Sequence, residues 1–138
     1  MCTWSRSLII CDAILAVVIN TSATLLAGAD LMPALWFMQT CTAFGTNVLI
    51  QLALPVPKIG EAAGAPLKDR ANGWMVSVFF ENLCYVTIIS FVMALTQAGF
   101  TERLIPLWLS TYLWLVIIGY VTSLVLVGVQ RARAAQMA

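Results

Sequence analysis

Apolar positions in this chain run on without two-residue alternation, in four stretches interrupted by short polar or proline-bearing breaks. They extend from about Trp4 to Ala27, from Pro33 to Leu54, from Gly73 to Gln97 and from Ile105 to Val129. Each approaches the ~20 residues that cross ~30 Å of hydrocarbon at ~1.5 Å per residue. A closed barrel would need more segments and strict alternation. The expected fold is an all-α membrane protein, a four-transmembrane-helix bundle.

The breaks have local causes. Gly28-Ala29-Asp30 ends the first helix, and Pro33 suits the first turn of the second, which predicts a tight hairpin over residues 1–54. Pro55 and Pro57 stop the second helix by removing donors and clashing with the preceding turn. Residues 55–72, with Gly60, Gly64 and Pro66, then read as a linker too short for a domain. Residues 73–138 form a second hairpin, closed by Ala98-Gly99, with Pro106 near the start of its second helix and a short tail after it. Shifting the sequence by 73 residues lays Leu31-Met32-Pro33 on Leu104-Ile105-Pro106 and Cys11 on Cys84. That correspondence predicts two tandem hairpins forming a parallel repeat.

Charge sets the orientation. Arg6, Lys58, Lys68, Arg70, Arg131 and Arg133 flank one side, and Arg103 alone lies in a loop on the other. By the positive-inside rule both termini and the linker are cytoplasmic, in what reads as a bacterial inner membrane. Trp4 and Trp74 then fall at the inner interface and Trp36 and Trp108 at the outer, with Trp114 expected inside the bundle. The first segment resembles a signal peptide in having one Arg before an apolar run, but Asp12, Asn20 and Thr21 interrupt that run, so it reads as a mature helix.

Composition narrows the chemistry. Of 138 residues, 62% are hydrophobic and 9% charged, with no histidine and a net charge of +1, which argues against a nucleic-acid partner and excludes imidazole chemistry. The four cysteines, Cys2, Cys11, Cys41 and Cys84, contain no CxxC pair and read as small packing residues rather than zinc ligands or a redox couple. No glycine-rich phosphate loop, nucleophile elbow or metal-ligand cluster is present, so neither an enzyme nor a cofactor is expected.

Two carboxylates fall within the predicted spans, Asp12 and Glu81, each about two turns from the inner end of its helix. A charge at full depth costs about 2.5 kcal/mol or more, so such residues face the bundle interior or water. The alternative is that they snorkel to the interface or pair with Arg6, Lys68 or Arg70 and only anchor helix depth. Burial favours the neutral form of any carboxyl group, and a proton-coupled exchanger needs one that gains and loses a proton. Polar residues extend the pattern at helical spacing: Asp12, Ala16, Asn20 and Thr24 on the first helix; Thr40, Asn47 and Gln51 on the second; Ser77, Glu81 and Cys84 on the third. These stripes suit either interhelical hydrogen bonds or a polar cavity, with Asn47 and Gln51 at the depth of the carboxylates. Phe44, Phe79, Phe80, Tyr85, Trp114 and Tyr120 could line a pocket for a cationic ligand, or simply pack. Gly119 and Ser123 form a small-xxx-small pair suited to dimerisation or to packing within the chain.

Phe80-Glu81, with Asp12 in the corresponding place of the first hairpin and the paired amides Asn47 and Gln51 on the second helix, resembles the proteobacterial antimicrobial compound efflux family. The second hairpin, Phe79 to Arg133, is also similar to short bacterial two-helix membrane domains with no assigned function. The efflux resemblance implies proton-coupled export of small organic cations or amines from the membrane by a homodimer. Glu81, with Asp12, would alternate between proton and substrate; Asn47, Gln51 and Asn20 complete the candidate site. The competing expectation is a non-transporting scaffold or accessory subunit whose polar stripes contact another membrane protein.

Overall fold

In a computed structural model, which describes residues 6–138, five α-helices and one 3-10 turn account for the fold, with no strand among the described residues. They are α1 (Arg6–Leu26), α2 (Pro33–Ala53), α3 (Val56–Gly64), the turn Ala65–Leu67, α4 (Gly73–Ala98) and α5 (Leu104–Met137). Trp4 and Cys2 lie outside the described residues.

The helix ends follow the local chemistry. Gly28 takes a φ of +68°, which costs a residue without Cβ little. There its N–H bonds to the Leu25 carbonyl at 3.0 Å, and the Ala29 N–H reaches back to Thr24 at 3.1 Å, a Schellman closure that uses otherwise orphaned carbonyls. Gly99 ends α4 with a φ of +65°. Pro33 occupies the first turn of α2, where its missing N–H removes nothing.

Helices α1, α2, α4 and α5 close a ring in that order, each packed on the next and α5 packed back on α1. Side-chain bonds show neighbours running antiparallel: Gln51 near the end of α2 meets Asp12 early in α1, and Asn82 early in α4 meets the Val116 carbonyl well into α5. Gln130 on α5 donates to Ser7 Oγ at 3.0 Å, so the start of α1 and the end of α5 lie at one end of the bundle. At that end the Arg131 guanidinium sits 5.0 Å over the Trp74 ring. At the other end, the Trp36 indole donates to Thr21 and that of Trp108 to Ser90, tying each hairpin together.

The apolar core is thin. Ile19, Ala43, Val86, Ile89, Met93 and Leu115 fill it, alongside fully or nearly buried Asp12, Asn20, Asn47, Asn82 and Ser90. Large apolar residues are instead turned outward, and on α5 they recur every fourth position at Ile105, Leu109, Leu113, Ile117, Val121 and Val125. Polar residues inside and aliphatic ones outside are the pattern expected when the surround is lipid. Helices α1, α4 and α5 are long and apolar enough to cross a membrane. Helix α2 is as long as α1 and carries no charged residue, but Gln39, Asn47 and Gln51 lower its hydropathy.

Two expectations change. Trp114 is 58% exposed rather than packed inside. The inward face of α5 carries Thr111, Leu115 and Gly119, and position 114 stands roughly 100° around the helix from Leu115. The segment read as a linker holds α3. Pro55 and Pro57 end α2 but fit the opening of a new helix, whose Val56, Gly60 and Gly64 form a buried stripe at four-residue spacing. Helix α3 lies on α4 so closely that a Cβ on Gly60 would stand 2.6 Å from Glu81 Oε1 and 2.9 Å from the Ser77 carbonyl oxygen. A Cβ on Gly64 would overlap Ser77 Oγ.

Gly119 provides a comparable seat between α4 and α5, where a Cβ would stand 2.7 Å from Asn82 Oδ1 and 2.8 Å from Val86 Cγ2. Gly119→Ala should lower the unfolding free energy of the detergent-purified protein by about 1–3 kcal/mol through overpacking. Gly128→Ala, where nothing lies within 4 Å, should leave the unfolding midpoint unchanged or raise it.

Candidate functional site

Near the end of the bundle that holds both the start of α1 and the end of α5, the ring encloses a cavity of about 180 Å³. Asp12 and Cys11 reach it from α1, Gln51 from α2, and Glu81 and Asn82 from α4, with Pro57 of α3 at its edge. Helix geometry explains the convergence. Asp12 lies on the inward stripe with Ala16, Asn20 and Thr24, all at or below 6% exposure. Asn47 and Gln51 are one turn apart, so both face α1.

Gln51 Nε2 donates to Asp12 Oδ2 at 2.8 Å, and Asn47 also hydrogen-bonds to the Asp12 carboxyl. Asp12 is 6% exposed, so this clasp holds a carboxyl group almost entirely away from solvent. Glu81 is half-buried, and among the described residues no Lys or Arg is paired with it. Its side chain lies against Gly60, and Glu61 on α3 is near enough to act on it electrostatically. No basic residue contributes to the cavity lining.

Asp12, Gln51 and Glu81 therefore share one cavity, with Asn47 bound to its edge through Asp12. Asn20 does not join them. Eight residues further along α1, or ~12 Å at helical rise, it is fully buried and donates to the Trp36 carbonyl at 3.0 Å and Thr40 Oγ1 at 2.8 Å. That is a helix-to-helix tie. Of the aromatic candidates, Tyr85 lines the cavity. Phe79 stacks edge-on against Phe80 and Tyr120, whose hydroxyl donates to the Met75 carbonyl at 3.2 Å, and Phe44 packs on the core. Cys11, Cys41 and Cys84 are free thiols, and Cys11 Sγ accepts from Gln130 at 3.0 Å.

Sequence reasoning missed Asn82 and Gln130. Asn82 is 2% exposed, and its Nδ2 donates to the Val116 carbonyl at 3.1 Å. It falls off the Ser77, Glu81, Cys84 stripe, yet an amide adjacent to an intramembrane carboxylate was a signal in its own right. Gln130 lies beyond the apolar run of α5, where a polar residue carries no signal.

The site is dominated by acceptors. The buried oxygens Asn47 Oδ1, Gln51 Oε1 and Asn82 Oδ1 have no hydrogen-bond partner. At ~30 Å³ per water the cavity holds a few waters or a small ion, and it is smaller than the ~300–1,000 Å³ of pockets that enclose drug-sized ligands.

Replacing Gln51 by Leu removes the donor at 2.8 Å from a buried carboxyl group. Gln51→Leu should destabilise the protein by about 1–3 kcal/mol, read as a lower unfolding midpoint in detergent. An unchanged midpoint would mean that the clasp contributes nothing to stability.

Comparisons with family models, with curated proteins and with solved structures find no match to this chain.

Proposed function

We propose that this protein is a small integral membrane transporter that couples proton movement to the export of small organic cations or amines. The observation that carries this reading is Glu81, a half-buried carboxyl group in a cavity shared with Asp12 and without a basic residue among the lining positions. A carboxylate anchoring helix depth would be expected to point into the headgroups or to hold a cation. One that faces an internal cavity can exchange a proton for a positively charged ligand. Asp12, held by Gln51 and Asn47, is the more fixed of the two; Glu81 is the exchanging group. The cavity is small, so export of a substituted amine requires the ring to open, as alternating access does. The efflux family resembled by Phe80-Glu81, Asp12, Asn47 and Gln51 has the same chemistry.

In this reading α2 is the fourth span. Its apolar residues Leu35, Phe37, Met38, Leu49 and Leu52 face outward, and its amides face α1 and the cavity edge. The two hairpins form a parallel repeat with both termini cytoplasmic. Supporting this are the clustering of Arg6, Arg131 and Arg133 towards one end and the similar tryptophan-to-hydroxyl ties, Trp36 to Thr21 and Trp108 to Ser90. A homodimer is the proposed assembly, in the inner membrane of a bacterium.

Glu81→Gln keeps the shape of the side chain and removes the titratable group. In proteoliposomes with an imposed proton gradient it should abolish organic-cation transport while the unfolding midpoint stays near that of the wild type. Equal transport by wild type and variant removes Glu81 from the mechanism. Transport of no organic cation by the wild type would leave the scaffold reading.

Orientation has its own measurement. A cytoplasm-active reporter fused after Ala138 should be active, and a periplasm-active one silent; the reverse outcome would invert the bundle.

A further inference from the structure

The cavity carries more acceptors than its own donors satisfy. Asn82 is 2% exposed and lines it; its Nδ2 is committed to the Val116 carbonyl at 3.1 Å, and its Oδ1 has no partner. Gln51 repeats the pattern from the facing helix, with Nε2 given to Asp12 and a buried Oε1 without a donor. Buried acceptors are nearly always satisfied, so orphaned ones at a cavity wall mark the place of a water or an ion. Two carboxyl groups at the same cavity, with no Lys or Arg lining it, favour an ion. Water can donate to an amide oxygen, but it does little to offset acidic charge withdrawn from bulk solvent.

We propose that this cavity binds a small monovalent metal cation, with the carboxyl groups of Asp12 and Glu81 and the free amide oxygens of Asn82 and Gln51 as its donors. All four are hard oxygen donors, which suit alkali and alkaline-earth ions rather than softer metals. Among the described residues no group of three or more His, Cys, Asp or Glu stands together, so the site lacks the carboxylate count on which divalent sites draw. A volume of about 180 Å³ admits such an ion with a few of its waters. Glu61, acting on Glu81 from α3, adds negative potential to the same wall. As a statement about the coupling ion of the cavity, this rests on the transport reading. As a statement about binding, it does not.

The probe is radiolabelled Na⁺, measured by equilibrium binding to the purified full chain in detergent, with the organic cation N-methylglucamine holding ionic strength constant. Saturable binding of one Na⁺ per chain is expected, weakened at least tenfold in Glu81→Gln and in Asn82→Ala. Na⁺ should also raise the unfolding midpoint of the wild type more than N-methylglucamine does at equal ionic strength. Gly128→Ala, remote from any contact, should bind as the wild type does. If Asn82→Ala fails to fold, Asp12→Asn takes its place with the same expectation. Binding that is unsaturable, or unchanged in Glu81→Gln, means a cavity filled by water alone and overturns the proposal. Absent Na⁺ binding together with Glu81-dependent organic-cation transport would sink the ion site and leave the transport reading standing. Na⁺ binding in a protein that moves no organic cation would do the opposite.

Discussion

A carboxyl or amide group carried into hydrocarbon must find its partners inside the protein, because lipid tails offer neither donors nor acceptors. Much of this fold can be understood from that constraint. Asp12 is met by Gln51 and Asn47, Asn20 by Trp36 and Thr40, and Asn82 by the Val116 carbonyl. Each of these contacts joins two helices, so the polar interior holds the ring together while aliphatic residues cover its outside. The interior also explains why the apolar core is thin: between helices in a membrane, packing and polar contacts do work that burial from water does in a soluble bundle.

Close helix approach is the second requirement, and small residues supply it. Gly119 lets α5 approach α4 closely enough for the Asn82 amide to reach the Val116 carbonyl. Gly60 and Gly64 let α3 lie directly on Ser77 and Glu81. The second contact has a functional consequence. It covers one side of Glu81 with backbone and apolar surface, limiting access of water from that direction, and brings Glu61 near it. Glu81 thus sits where helix α3, the ring and the cavity meet. Asp12 and Glu81 differ accordingly: one is fixed by two amides, the other is constrained by shape and has no basic neighbour.

The amides have a double part. In Gln51 and Asn82 the N–H₂ group builds the bundle and the oxygen is left over at the cavity. Such a division arises when a planar side chain with a donor at one corner and an acceptor at the other is held by its donor alone. The cavity wall is therefore acidic and acceptor-rich as a by-product of how the helices are clasped.

The apolar runs, proline and glycine breaks and intramembrane carboxylates were legible from the sequence, because hydropathy, helix termination and desolvation act locally. They placed α1, α2, α4 and α5 to within a few residues at most ends, apart from the longer tail of α5, and marked Asp12, Glu81, Asn47 and Gln51. Other features depended on which helix met which. Periodicity alone gave Asn20 the same standing as Asp12, yet the facing residues make one a clasp and the other a cavity wall. Trp114 turned outward because α5 presents Leu115 and Gly119 to its neighbours, a rotation that no composition reveals. Helix α3 was hidden among prolines and glycines that read locally as breakers. Only the surface of α4, shaped to receive Gly60 and Gly64, makes a helix of them, since a short glycine-bearing segment gains its stability from packing rather than from propensity.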